Sequence, residues 1–102
     1  MRTVIEFSQF VHKAEKLFGM EEREKIVELL SANPNIGKKL ENFGGIRKLK
    51  WIQYGKKPKE HNIYYHTGSN NLPLVIIGIF PKNEKMILEK IIEILLHRNV
   101  KD

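Results

Sequence analysis

Apolar and polar residues succeed one another in different rhythms along this chain, and each rhythm predicts an element. Thr3-Val4-Ile5-Glu6-Phe7 is β-branched and aromatic, which predicts a short strand. Ser8 is placed to cap a helix in which Phe10, Val11, Ala14, Leu17 and Phe18 recur at helical spacing, with His12, Lys13, Glu15 and Lys16 on the polar side. Gly19 ends it. Glu21, Glu22 and Glu24 suit the positive N-terminal end of a second helix, whose apolar Ile26, Val27, Leu29 and Leu30 continue to about Ala32. Asn33-Pro34-Asn35 stops that helix, because the residue before a proline is pushed out of the α region. So short a turn between the helices predicts an antiparallel pair covering a sheet.

Residues 36–45 read as a linker of Gly, Lys and Asn. A cationic β-hairpin is then predicted from Gly44 to Tyr65, turning at Gly55-Lys56-Lys57-Pro58-Lys59. Side chains two apart share one face of a strand, so Leu49 and Trp51 point one way and Lys48 and Lys50 the other. His66 to Asn71 is a turn by composition. Leu74-Val75-Ile76-Ile77-Gly78-Ile79-Phe80 is apolar at both parities, as a central strand covered on both faces would be, with Gly78 marking a bulge or a close approach. Pro81 ends the strand. Asn83 can cap a last helix over Glu84–His97, buried through Ile87, Leu88, Ile91, Ile92 and Leu95. The order β, α, α, β, β, β, α predicts one α+β domain with a small, mainly antiparallel sheet.

Composition narrows the function classes. A chain of 102 residues is one domain by size, and 41% hydrophobic with 29% charged residues is ordinary for a globule. No apolar run approaches the ~20 residues of a membrane span. The opening residues carry Glu6 where a signal peptide needs apolar sequence, so a cytoplasmic address is expected. Cysteine is absent, which excludes disulfides and thiolate metal sites. The net charge of +6 is unevenly placed. Residues 1–42 hold seven bases and seven acids, whereas residues 43–61 hold six bases and only Glu60 as an acid, a local +5. Such a field attracts phosphate polymers over a Debye length of ~8 to 10 Å, and an acidic protein would answer it equally well.

Together, the order of elements and certain short runs resemble a known family. Those runs are Ala32-Asn33-Pro34, Gly44-Gly45-Ile46-Arg47-Lys48-Leu49-Lys50-Trp51, Gly55-Lys56, Ile63-Tyr64-Tyr65 and Phe80-Pro81-Lys82-Asn83-Glu84. Over nearly its whole length the chain resembles the RelE/HigB-type toxins of bacterial type II toxin–antitoxin pairs. The resemblance implies a small messenger-RNA endonuclease, usually acting on ribosome-bound message, held inactive by a cognate antitoxin of helix-turn-helix type. It places the basic active-site side chains on Arg47, Lys48 and Lys50, and on Lys82 after the central strand. The sequence departs from the family where His61 stands two residues before Ile63-Tyr64-Tyr65, a position that generally carries arginine, and where Pro58-Lys59-Glu60 replaces smaller turn residues.

Cleaving RNA without a metal requires the 2′-hydroxyl aligned on phosphorus, stabilisation of the charged phosphorane, and proton transfer at both oxygens. Lys48, Lys50 and Lys82 are the candidates for charge stabilisation. His61 has two readings: a general acid or base near neutral pH, or an exposed histidine that only assists binding. Arg47, Lys56, Lys57, Lys59 and Tyr65 are the expected RNA-binding residues, Tyr65 as a stacking ring that shares parity with His61. Trp51 shares parity with Leu49 and is expected in the core. His61 and His66 differ by an odd number, so a strand points them apart, and neither a metal nor another cofactor is expected. The same basic hairpin would serve a non-catalytic protein that binds RNA or a protein partner.

Overall fold

The computed structural model describes residues 2–40, 45–67 and 72–80. Its elements are β1 (Val4–Glu6), α1 (Ser8–Phe18), α2 (Met20–Ala32), β2 (Lys38–Lys39), β3 (Ile46–Gln53), β4 (Lys59–His66) and β5 (Leu74–Phe80). Gly44, the turn residues Gly68 to Asn71, Lys82 and the expected helix Glu84–His97 lie outside the described residues. The fold is α+β, with five strands in the order β1-β5-β4-β3-β2. Three of the strand pairings are antiparallel, and β1 pairs parallel with β5, Val4 opposite Leu74 and Glu6 opposite Ile76. The sheet is therefore mixed.

The expected cap at Ser8 is corrected. Phe7 is the residue before the first turn, with extended backbone angles, and no side chain caps the helix. Its N–H donates to the Ile76 carbonyl at 3.0 Å while its own carbonyl accepts from Phe10 and Val11. The last rung of the sheet thus fixes where α1 begins, and the buried Phe7 ring anchors the junction. Gly19 alone separates the helices, at φ +89°, a left-handed conformation that favours glycine. Across that junction Arg23 Nη1 holds Glu6 Oε1 at 2.6 Å and Nε holds Glu15 Oε2 at 3.1 Å, tying α2 to β1 and α1.

Both helices cover one face of the sheet. Phe10 and Ala14 of α1 and Ile26 and Leu30 of α2 pack on Leu49, Ile63, Tyr65, Leu74, Ile76 and Ile79, with Trp51 partly buried beside them. Each fully buried large apolar side chain contributes roughly 1.5 to 3 kcal/mol, so this layer dominates the fold. A smaller cluster of Phe7, Ile46, Tyr64 and Ile77, with Leu40, Val75 and Phe80 against it, lies on the second face.

β5 carries an extra residue relative to β4, since Tyr65 faces Ile76 but Tyr64 faces Gly78. Ile77 is the bulge, next to the glycine that marked it. A side chain at Gly78 would meet the Phe80 ring at 2.9 Å, so only glycine lets that ring lie over the strand. Because β1 covers only Leu74 to Ile76, further carbonyls of β5 need other donors. Helix α1 supplies them, Gln9 Nε2 to Ile77 at 3.0 Å and Lys13 Nζ to Ile79 at 2.8 Å.

Candidate nucleic-acid interface

The alternation on β3 becomes a charge pattern once its partners are in register. Lys38 of β2 stands opposite Lys48, which stands opposite Tyr64, while Lys50 stands opposite Asn62. Opposed residues share a face, so Lys38, Lys48 and Lys50 all lie on the second face, away from the helices. Directly opposed residues are ~4.5 to 5.5 Å apart at Cα, and strand residues two apart are ~6.6 Å apart. Three ammonium-bearing chains therefore spring from one small patch of backbone. Glu60 lies beside them, its Oε1 3.9 Å from Lys50 Nζ. Both of those side chains are well exposed, so the pair contributes ~0 to 1 kcal/mol.

Lys38 was not among the residues expected from sequence. It sits in the stretch read as a linker, and its value comes from a two-residue strand that only pairing with β3 creates. The bases Arg47, Lys48 and Lys50 of β3, read together with Lys38-Lys39, were the available signal.

His61 is on the other face, and its assignment beside Lys48 and Lys50 is corrected. It pairs with Trp51, is 8% exposed, and sets its ring edge-on to Phe18 of α1 with centroids 5.0 Å apart. Gln53 Nε2 donates to the Leu17 carbonyl at the end of α1, at 2.8 Å. That turns Gln53 Oε1 toward His61 Nε2, 3.1 Å away. An amide oxygen only accepts, so His61 carries its proton on Nε2 and donates it. Burial, with Lys59 and Lys13 repelling a second positive charge, lowers the histidine pKa below its ordinary value, and Glu22 opposes this only in part. His61 is a packing residue whose surroundings favour the neutral ring.

Tyr65 is corrected on the same ground, and Arg47, half-buried, lies on the same face. Tyr65 is 0% exposed, and its hydroxyl donates to the Pro34 carbonyl at 2.9 Å while accepting the Gly37 N–H at 2.8 Å. Burial raises the phenol pKa, against the Gly37 N–H and the Arg47 charge, which lower it. A side chain at Gly37 would meet that hydroxyl at 2.8 Å and the Lys48 carbonyl at 2.9 Å. Arg47 stands opposite Tyr65 and donates from Nη1 to the carbonyls of Asn35 and Gly37. Tyr65 and Arg47 thus hold the turn that delivers β2, and with it Lys38.

Of the remaining expected residues, Lys56 and Lys57 lie exposed in the turn between β3 and β4. Lys59 is also exposed but pairs with Gln53, on the helix side of the sheet. Lys82 lies outside the described residues. The tyrosine on the lysine face is Tyr64, buried beside Phe80 with ring centroids 5.8 Å apart. Asn62 is buried on that face with no hydrogen-bond partner for Oδ1 among the described residues. The histidine there is His66, opposite Ile46 and diagonal to Lys48, where Cα atoms are ~7 to 8 Å apart. Its ring packs on Gly45, at φ +87°, where a side chain would meet Nε2 at 3.0 Å.

Among the described residues, no three His, Asp or Glu side chains come together where a metal could be held, and no helix is long and apolar enough to cross a membrane. No protein-family model matches this chain, and no curated protein matches it.

Proposed function

We propose that this protein binds RNA through the lysine face of its sheet and is a RelE/HigB-like toxin, a metal-independent endonuclease of ribosome-bound messenger RNA, acting in the cytoplasm and restrained by an antitoxin. The observation that carries the reading is the convergence of Lys38, Lys48 and Lys50 on one face. Like charges directly opposed across strands oppose folding by a few tenths of a kcal/mol to about 1, and an anion that crosses them offsets that cost. A phosphodiester fits. In the cleavage step, Lys48 and Lys50 stabilise the charge that develops on the non-bridging oxygens, each such contact being worth roughly 100-fold or more in rate. Proton transfer falls to His66, the histidine on that face, in place of His61.

The burial of His61 favours a second reading, in which the chain binds RNA or a protein without cutting. The family's arginine position is here a neutral, packed imidazole, so one cation of the expected set is missing from the interface.

Expression of the chain alone in a bacterium separates the two. Growth arrest with loss of messenger RNA, abolished by Lys48→Ala with Lys50→Ala, supports the endonuclease. Unimpaired growth, together with salt-dependent RNA binding by the purified protein, leaves the non-catalytic reading. No RNA binding at ~50 mM salt, where phosphate contacts are strongest, refutes both RNA readings.

A further inference from the structure

We infer that Tyr54, at the tip of the β3–β4 hairpin, is a stacking platform for an unpaired nucleobase, a second contact several nucleotides away from Lys48 and Lys50. The inference rests on the RNA-binding reading and adds to it a subsite with its own chemistry. Tyr54 is 81% exposed, more than any other large hydrophobic residue among those described. It opens the connection Tyr54-Gly55-Lys56-Lys57-Pro58, where glycine and proline serve the turn and a tyrosine serves none of its geometry. An aromatic ring left in water forgoes the roughly 1.5 to 3 kcal/mol its burial would contribute. Apart from its chain neighbours, nothing among the described residues comes within 4 Å of where a side chain at Gly55 would begin, so the turn after Tyr54 stands clear of the rest of the fold.

What surrounds Tyr54 identifies the occupant. Lys56 and Lys57 follow it in the exposed turn, and Ile52, itself exposed, precedes it by two residues on the strand that carries Lys48 and Lys50. An exposed ring among cations suits a polyanion with flat bases, since every base offers a π-face and every nucleotide a phosphate. A hydrophobic protein partner would be expected to meet a wider apolar surface with fewer lysines. Tyr54 stands six positions after Lys48, at most ~20 Å along an extended strand. A single strand lying along β3 would therefore touch the lysines with one phosphate and Tyr54 with a base some nucleotides distant.

The experiment measures binding of labelled single-stranded 2′-O-methyl RNA, which has no free 2′-hydroxyl to support cleavage, in lengths of two and twelve nucleotides. Tyr54→Ala is expected to weaken the twelve-mer about 30-fold, the middle of the range for one base–aromatic stack. Tyr54→Phe should bind as the natural chain does, and Tyr54→Leu as the alanine variant. The salt slope should not change, because no phosphate contact is lost, whereas Lys56→Ala with Lys57→Ala should flatten it by ~0.7 per lost contact. The dinucleotide, and a twelve-mer whose bases are replaced by abasic residues, should not distinguish Tyr54→Ala from the natural chain. Equal urea midpoints establish that the variants fold. If Tyr54→Ala binds the twelve-mer as tightly as the natural chain, while the Lys48→Ala, Lys50→Ala pair does not, the stacking inference is overturned and RNA binding stands. If the natural chain binds neither RNA, both fall. A Tyr54→Ala variant that keeps RNA affinity but loses a co-expressed protein partner overturns the inference in favour of a protein contact.

Discussion

His61 donates from Nε2 to Gln53 Oε1 across 3.1 Å on the helix-covered side of the sheet. Through the amide of Gln53 that bond reaches the Leu17 carbonyl near the end of α1, so the hairpin is latched to the helix by a histidine whose burial favours the neutral form. The folded pKa is lowered below the unfolded value of about 6.5, chiefly by burial. The unfolded chain then takes up the proton first as pH falls. The stability contributed by His61 is therefore complete above pH ~6.5 and is lost as pH falls through the lower folded value. Urea midpoints between pH 8 and 5 should decline for the natural chain and decline less for His61→Gln. Parallel curves would contradict the buried, neutral histidine.

The same environment reverses the expectation for the family's residue. His61→Arg introduces a permanent charge against Phe18, with Lys13 and Lys59 nearby, and an uncompensated buried charge costs several kcal/mol. A drop of about 3 kcal/mol in unfolding free energy is expected, without a gain in RNA cleavage. Natural stability with raised activity would show that the position reaches the substrate after all.

Tyr65→Phe tests the turn that delivers β2. Removing the hydroxyl strands the Gly37 N–H in a buried setting, and an unsatisfied buried donor costs about 1 to 3 kcal/mol. Denaturant unfolding should register that loss. RNA affinity should fall too, through displacement of Lys38, and adding Lys38→Ala should then weaken binding less than it does in the natural chain.

Lys38→Glu should raise stability by up to about 1 kcal/mol at low salt, since it replaces a like pair across from Lys48 with an opposite one. The gain should vanish at high salt, and RNA binding should weaken. A stabilised protein that binds RNA more poorly is the signature of a charge held for a ligand; unchanged RNA affinity would remove Lys38 from the interface.

Arg23→Ala should cost about 2 kcal/mol, because the guanidinium is mostly buried and its loss leaves Glu6 without the partner that also raises the Arg23 pKa. Thermal or urea unfolding measures it, and a loss below about 0.5 kcal/mol would mean that the bridge is merely a surface pair.

The sequence alone determined the local geometry. Helical spacing from Phe10 to Phe18 and from Ile26 to Leu30, the alternation of Lys48 and Lys50 against Leu49 and Trp51, and the glycine at the β5 bulge are consequences of residues a few positions apart. The opposition of Tyr64 to Tyr65 is of the same kind. Tertiary structure decided which alternating sets meet. The pairing of Trp51 with His61 sends His61 and Tyr65 to the helices and leaves Tyr64, Asn62 and His66 with the lysines. Parity within a strand is fixed by its own backbone, but a shift of one residue between strands exchanges every side chain between faces, and that register is set by what the distant helices can bury. Pairing also made a strand of Lys38–Lys39 and placed β1 parallel to β5, across separations no local pattern spans. The basic charge was legible in the chain, and its convergence on one face was decided by the fold.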